Sequence, residues 1–264
     1  MNQSIKHIQT YYDSHIAGKI KGFVEGNKRV ERAWKTIEQW TPNNPQRILE
    51  VGCGIGDICW RMTRKWPNSV VVGLDVSPKS IEVAKKLFTC PQLHFVEGQL
   101  SKNTLSSQFD LIILMDVYEH IAVEDRAKLH EALKEVCSDC GRIILSFPTP
   151  RKQLNLRQYY PAQIQPIDED INFSTIVNLA SDIQTEVFLY QEVDVWHEGD
   201  YAHAVLGKRE GLVTVAYPAN GGVKRRICKF LQSKTQPLVP SRRQRLALVH
   251  ERLGSEAYPN KSNI

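Results

Sequence analysis

No stretch of the 264 residues approaches the ~18 consecutive apolar residues that a membrane-spanning helix needs. Residues 1–10 also lack the charged-then-apolar order of a secretory signal. Both absences point to a cytoplasmic protein without a membrane span. Six cysteines fit that compartment as free thiols. Cys137 and Cys140 have C-x-x-C spacing, but no second Cys or His pair stands nearby to complete a tetrahedral site. We therefore expect no metal there, and read the segment as a helix end and turn leading into a strand. Also missing is the G-x-G-x-x-G run of a dinucleotide fold, whose third glycine stands one residue later than any here. With 42% apolar residues, the chain can bury one full α/β core.

What is present is concentrated between residues 45 and 150. RILEVGCGIGD, residues 47–57, is an apolar run that ends in three alternating glycines, Gly52, Gly54 and Gly56. It reads as a buried strand feeding a tight turn, with glycine where a Cβ would demand unfavourable dihedrals or meet a ligand. Glu50 sets a carboxylate at the strand's C-terminal end. A second apolar strand, SVVVGLDVS at 69–77, ends in Asp75, nineteen residues after Gly56. A doubly wound sheet places there the acid that binds a ribose diol. LHFVEGQL at 93–100 and FDLIILMDV at 109–117 read as third and fourth strands, and GRIILSFPTP at 141–150 supplies a fifth.

In order and spacing, EVGCGIG, LDVS, FVEGQL, FDLIILMDVYEHI and GRIILSFPTP resemble the class I S-adenosylmethionine-dependent methyltransferases. The resemblance implies a Rossmann-like, doubly wound seven-stranded α/β sheet whose last strand is antiparallel. It implies S-adenosylmethionine as cofactor, held by Tyr12, Glu50, Gly52, Cys53, Gly54, Gly56, Asp75, Val76, Ser77, Gln99, Leu100, Met115, Asp116 and Val117. Glu50 and the glycine loop would hold the methionine moiety, Asp75 the ribose hydroxyls, Val76 a face of the adenine, and Gln99 with Leu100 its edge. The family commonly has aspartate where Gln99 stands, and the glutamine amide can still accept and donate. Methyl transfer needs an aligned nucleophile and, for a neutral hydroxyl, a base. His120, in the YEHI run, is the candidate catalytic residue, as base or as orienting group; His197 and His203 are weaker.

Three regions complete the expected organisation: residues 1–44 as an N-terminal helical cap, 45–208 as the core, and 209–264 as a basic C-terminal helical extension. Ile5, Ile8, Tyr11, Tyr12 and Ile16 share a helical face, and such a helix pair caps the cofactor in related enzymes. Gly18, Gly22 and Gly26 suggest either a lid that opens or close backbone packing. Residues 151–183 form the acceptor-side insertion: RKQLNLRQYYPAQIQP reads as irregular after Pro148 and Pro150, then Asp168, Glu169 and Asp170 start a helix running to about Ile183. Tyr118, Tyr159, Tyr160, Gln163, Gln165 and His197 are the candidate acceptor contacts. Residues 185–196 and 201–207 read as a closing hairpin.

Charge is uneven. Residues 208–264 carry twelve Lys and Arg against three Glu, about +9, so the rest carries about −4 of the +5 total. The densest points are Arg225-Arg226 and Arg242 to Arg245, with only Phe230 and Tyr258 between or near them to stack a base. The expected function is methylation of an oxygen on a small molecule such as a sugar, polyketide or peptide natural product. Alternatives are an RNA or other nucleic-acid methyltransferase using the basic tail, an N-methylating or carboxyl methyl ester-forming enzyme, and a cofactor-binding protein without catalysis. Nucleic acid is disfavoured because Asp116 is followed by Val117, Tyr118 and Glu119 and not by a [DN]-P-P-[YF] run, and no Pro-Cys nucleophile appears. Oligomeric state is left open.

Overall fold

The computed structural model describes residues 3–209 and 238–259. Seven strands form one sheet: β1 (Arg47–Val51), β2 (Val70–Asp75), β3 (Leu93–Glu97), β4 (Phe109–Met115), β5 (Cys137–Pro148), β6 (Glu186–Val193) and β7 (Tyr201–Gly207). Their order is β3-β2-β1-β4-β5-β7-β6. The first five pair in parallel, and β7 runs antiparallel to both β5 and β6. The seven-stranded sheet with an antiparallel strand is therefore present as expected. The order reverses between β1 and β4, and an open α/β sheet offers its crevice at the C-terminal strand ends beside that point.

Sequence periodicity explains why both faces are covered. Along β4, Leu111 and Ile113 enter one core cluster while Ile112 and Leu114 enter the other, and all four are fully buried. A strand apolar at successive positions is stable only between two helical layers. One layer holds α6 (Arg126–Val136) and α8 (Phe173–Asp182). The other holds α2 (Ile16–Glu25), α3 (Lys28–Trp40), α4 (Asp57–Lys65), α5 (Pro78–Leu87) and α9 (Arg242–Leu253). Fully burying each such aliphatic side chain contributes roughly 1.5–3 kcal/mol. No described helix is long and apolar enough to cross a membrane.

Five local expectations are corrected. The N-terminal segment forms three helices and not a pair, α1 (Gln3–Asp13), α2 and α3, because Gly26 (φ +95°) ends α2 and Asn27 caps α3 by accepting from the Arg29 amide. A Cβ at Gly18 or Gly22 would meet nothing within 4 Å, so close backbone packing does not account for them. Residues after Pro148 are not irregular: Thr149 caps and Pro150 starts α7 (Pro150–Tyr159), since proline fits the first helical position. The acids at 168–170 do not open the next helix. Asn172 and Thr175 form a capping box that starts α8 at Phe173, while Asp170 takes both Arg157 nitrogens at 2.8 and 2.9 Å. Finally, Cys137 to Cys140 belong to β5, directly after α6, and no disulfide joins the described cysteines.

The described part of the basic extension folds back on the cap. Arg242 forms a two-nitrogen ion pair with Glu25, each contact 2.7 Å, and Arg245 donates to the Val24 carbonyl at the end of α2. Arg225, Arg226, Cys228 and Phe230 lie outside the described residues.

His203 in β7 is a packing residue, 2% exposed, with Nδ1 2.8 Å from the Thr36 hydroxyl. Burial, then the charge of Arg32, lowers its pKa to about 4. The unfolded chain binds this proton near pH 6.5 and the folded chain does not, so stability is full above pH 6.5 and falls between pH 6.5 and about 4. We expect His203→Asn to remove about 2 kcal/mol of the stability difference between pH 7 and pH 5. Urea unfolding of both proteins at the two pH values checks this, and an unchanged difference refutes it.

Candidate functional site

The loop after β1 owes its shape to backbone hydrogen bonds that only glycines permit. Gly52, Gly54 and Gly56 have φ of +73°, +55° and +82°. The amides of Gly52 and Cys53 both donate to the Leu74 carbonyl, tying the loop to the end of β2. A Cβ at Gly52 would collide with Val117, and one at Gly56 with the Phe95 ring. Gly54 differs, because its Cβ would meet only the Lys19 side chain, at 3.7 Å. It is the point where the loop lies open to a ligand.

Asp75 closes the next strand end. Its two oxygens accept from the amides of Gly54 (2.7 Å) and Ser77 (2.8 Å), and each keeps a lone pair for a further donor. Ser77 caps α5, and Val76 between them is half-buried. Leu100 is buried and Gln99 exposed beyond β3. The residues thus fit an adenosine: a carboxylate with spare acceptor capacity beside apolar side chains and an open glycine. Helix α1 lies across this end. Gln9 donates to the Val76 carbonyl (3.0 Å), the Ser77 hydroxyl donates to Asp13 (2.6 Å), and Lys19 of α2 donates to the Ser80 hydroxyl (2.8 Å). Tyr12 donates to Gln165 (3.1 Å), its ring centroid 6.5 Å from that of His120.

Past β4 the crevice becomes charged. Asp116 adopts φ +53° and pairs with Arg29 of α3 at 2.6 Å, and Arg29 also donates to the Tyr201 hydroxyl at 3.3 Å. Burial pushes the Asp116 carboxyl up, against the pull of Arg29. Glu119 is 1% exposed, and burial followed by the Asp116 charge holds it well above the usual carboxyl range. In His120, Nδ1 is 2.7 Å from the Ile167 carbonyl, which only accepts, so this nitrogen carries the hydrogen and Nε2 the lone pair. Burial lowers the His120 pKa, partly offset by the Ile167 bond, Asp168 and Asp116. Asp168 is held by Gln153 of α7. Trp196 lies half-exposed at the mouth, 5.8 Å from the Arg29 guanidinium.

Several residues singled out from sequence stand elsewhere. Tyr118 is 1% exposed, its hydroxyl 2.8 Å from His130 Nε2, while His130 Nδ1 lies 2.7 Å from Asp182. Its hydroxyl is committed within the core, so it offers no acceptor contact. Tyr159 and Tyr160 are 62% and 53% exposed, and Gln163 and His197 are also exposed; none lines the buried crevice. The Cys53 side chain is buried in the core beside Cys59, both sulfurs facing Gly73, so only its backbone borders the loop. Glu50 is 2% exposed and accepts from the Cys59 thiol at 2.8 Å, beneath the loop. Met115 and Val117 are half-buried at the end of β4. Sequence reading missed Arg29, Gln153, Asp168, Trp196 and Tyr201, which come from four separate stretches, and Glu119, which stood unused beside His120.

Residues 48–141 match the family model described as a methyltransferase domain. Over those residues the chain carries a methyltransferase domain, and its sheet has the fold of S-adenosylmethionine-dependent methyltransferases. Among curated relatives it is 26% identical over 181 residues to malonyl-[acyl-carrier protein] O-methyltransferase 1 of Ilyobacter polytropus, covering 66% of this chain and 60% of that one. It is 33% identical over 106 residues to the mitochondrial ubiquinone biosynthesis O-methyltransferase of Schizosaccharomyces pombe, covering 38% of this chain and 37% of the relative. The chain thus spans less than two thirds of either relative's length. Magnesium protoporphyrin IX methyltransferase of Synechocystis shares the fold, with a TM-score of 0.58 at 15% identity over 78% of this chain and 99% of that one.

The three glycines should separate under substitution. Gly54→Ala should lower the affinity for S-adenosylhomocysteine at least ~tenfold, because its Cβ enters the ligand side of the loop, with a stability loss of about 1–2 kcal/mol from the left-handed backbone. Gly56→Ala adds a collision with Phe95 and should lose roughly a further 1–3 kcal/mol. Calorimetric titration beside thermal unfolding measures both. Equal affinities for wild type and Gly54→Ala would remove the ligand from this loop.

Proposed function

We propose that the protein transfers a methyl group from S-adenosylmethionine to a hydroxyl oxygen of a small molecule, with His120 as the general base. The observation that carries this reading is the fixed His120 tautomer: the Ile167 carbonyl takes Nδ1–H and leaves Nε2 as a lone pair in a nearly closed crevice. S-adenosylmethionine, when bound, supplies a methyl carbon activated by its sulfonium. The chain's own part is to place the acceptor, exclude water and receive one proton. Gly52 to Gly56 and Asp75 would hold the cofactor, Val76 and Leu100 would flank the adenine, and Gln99 would meet its edge. Tyr12 and Gln165, bonded to each other over the crevice, would shut out solvent.

Charge favours a hydroxyl over a carboxylate acceptor. Asp116, Glu119 and Asp168 surround His120, and the nearest cation, Arg29, is already paired with Asp116. The burial that pushes the Asp116 and Glu119 carboxyls up also disfavours any further anion brought into the crevice, whereas a neutral hydroxyl enters at less cost and donates to their oxygens. Both curated relatives described above are named for O-methylation, which agrees with this reading. The nucleic-acid alternative weakens because Arg242 and Arg245, two of the basic tail's densest charges, are spent on Glu25 and Val24. The same reading treats residues 1–44 as cap, 45–208 as catalytic core and 209–264 as a basic extension whose described residues 238–259 brace the cap, in a cytoplasmic enzyme acting on a natural-product or metabolite scaffold.

His120→Ala should lower kcat by ~10²-fold or more and leave S-adenosylhomocysteine affinity nearly intact. A base must be unprotonated, so the rate falls as pH drops through its pKa. Because burial lowers that pKa, the acidic limb of kcat/KM should lie below the ordinary histidine value of about 6.5. Radiolabelled methyl transfer to a panel of phenols and sugars, followed against pH, reads both. A variant with full turnover would reduce His120 to an orienting role.

A further inference from the structure

Glu119 is buried deeper than its role as neighbour to a histidine explains. Its Oε2 has no hydrogen-bond partner among the described residues, and its Oε1 stands 3.7 Å from His120 Nε2, too far to be bonded to it. Leaving such an oxygen unpaired is unfavourable, a cost retained where a ligand supplies the missing partner. The side chain sits where five elements converge. Tyr12 of α1, Arg29 of α3, Asp116 after β4, Asp168 after α7 and Tyr201 of β7 all act on it electrostatically or are acted on by it. Asp116 Oδ1 and Gln153 Oε1 are likewise buried without partners, so unused acceptor atoms outnumber unused donors on this side of the crevice.

We infer that Glu119 is the second anchor for the acceptor, taking a hydrogen bond from a hydroxyl adjacent to the one that is methylated, so that the acceptor is a vicinal diol. The inference rests on the oxygen-methylation reading above. His120 Nε2 and the Glu119 carboxyl are two acceptors side by side: Oε1 lies 3.7 Å from Nε2 and the unpartnered Oε2 shares its carbon, a spacing that suits two hydroxyls on neighbouring carbons, each donating over about 2.7–2.9 Å. Holding both hydroxyls fixes which one faces the base. A carboxylate offers no such donors, and a lone hydroxyl would leave Glu119 unsatisfied when the crevice closes. Catechols and sugars share the diol, and Trp196 with Tyr201 at the mouth, ring centroids 5.8 Å apart, can flank either.

The test measures methyl transfer from S-adenosylmethionine to catechol, phenol and methyl α-glucopyranoside. Wild type should turn over one of the two diols with kcat/KM at least ~tenfold above phenol, the productive diol distinguishing an aromatic from a sugar acceptor. Glu119→Leu should bring that diol within ~threefold of phenol while S-adenosylhomocysteine affinity holds, and Glu119→Gln, which keeps an acceptor oxygen, should restore most of the preference. Phenol turned over as well as either diol by wild type, a comparison that needs no variant, overturns the diol inference alone. A preference that survives in Glu119→Leu also overturns it. No transfer to any hydroxyl probe overturns the oxygen-methylation reading together with it.

Discussion

Asp75 is the tie on which the glycine-loop side of the crevice depends. One carboxylate accepts from Gly54 in the loop after β1 and from Ser77 at the start of α5, so a single side chain adds to the Gly52 and Cys53 bonds to Leu74 and fixes the distance between two strand ends. Hydrogen bonds to an ionised acceptor contribute roughly 1.5–3 kcal/mol each, which is enough to hold a loop whose three glycines give it little stiffness of its own. The cap is built onto the same tie. Ser77, whose amide meets Asp75, donates from its hydroxyl to Asp13 of α1, so the position of the N-terminal helix is referred to the carboxylate through one intermediate residue.

The His120 side of the crevice is organised by opposite means. There the sheet ends in a left-handed Asp116, and Arg29 arrives from the cap to pair with it. A half-buried ion pair of this kind is poor evidence of stability, since desolvation offsets much of the attraction. Its consequence is positional: it joins α3 to the end of β4, one short turn before Glu119 and His120, whose side chains are 1% and 10% exposed. From behind, Tyr118, His130 and Asp182 form a hydrogen-bonded chain that fixes the same turn to α6 and α8. Burial raises the Tyr118 hydroxyl to about 12, so it remains a donor to His130 throughout the working range. The turn that carries His120 is thus gripped from both sides of the sheet.

How much of this was legible in the sequence follows from the range of each interaction. The strand ends and the loop glycines were readable because a parallel strand buried on both faces must be apolar at successive positions, and Gly52 and Gly56 answer to contacts or dihedrals that local pattern reveals. Thr149-Pro150 was read as a stop although the pair is a helix start, because proline's missing amide matters only after the first turn. The acids at 168–170 were assigned to a helix dipole, but Arg157 and Gln153 on α7 claim two of them. Neither partner could be identified without knowing that α7 exists. Arg29, Asp168, Trp196 and Tyr201 carry no local signature at all, since their meaning lies in meeting Asp116, His120 and one another across long stretches of chain.

The tail shows the same limit in electrostatic form. Counted along the chain, residues 208–264 are a block of positive charge that suggests a polyanion. In space, Arg242 and Arg245 are turned inward onto Glu25 and the carbonyl end of α2, where a cation also favours the helix dipole. Tyr258 adds its hydroxyl to Glu25 from the far end of the same extension. The last helix therefore braces α2, and α2 carries the Lys19 that lies against Gly54 and bonds Ser80. The charge of Arg242 and Arg245 is connected in this way to the geometry of the glycine loop, through three helices that pack on one face of the sheet.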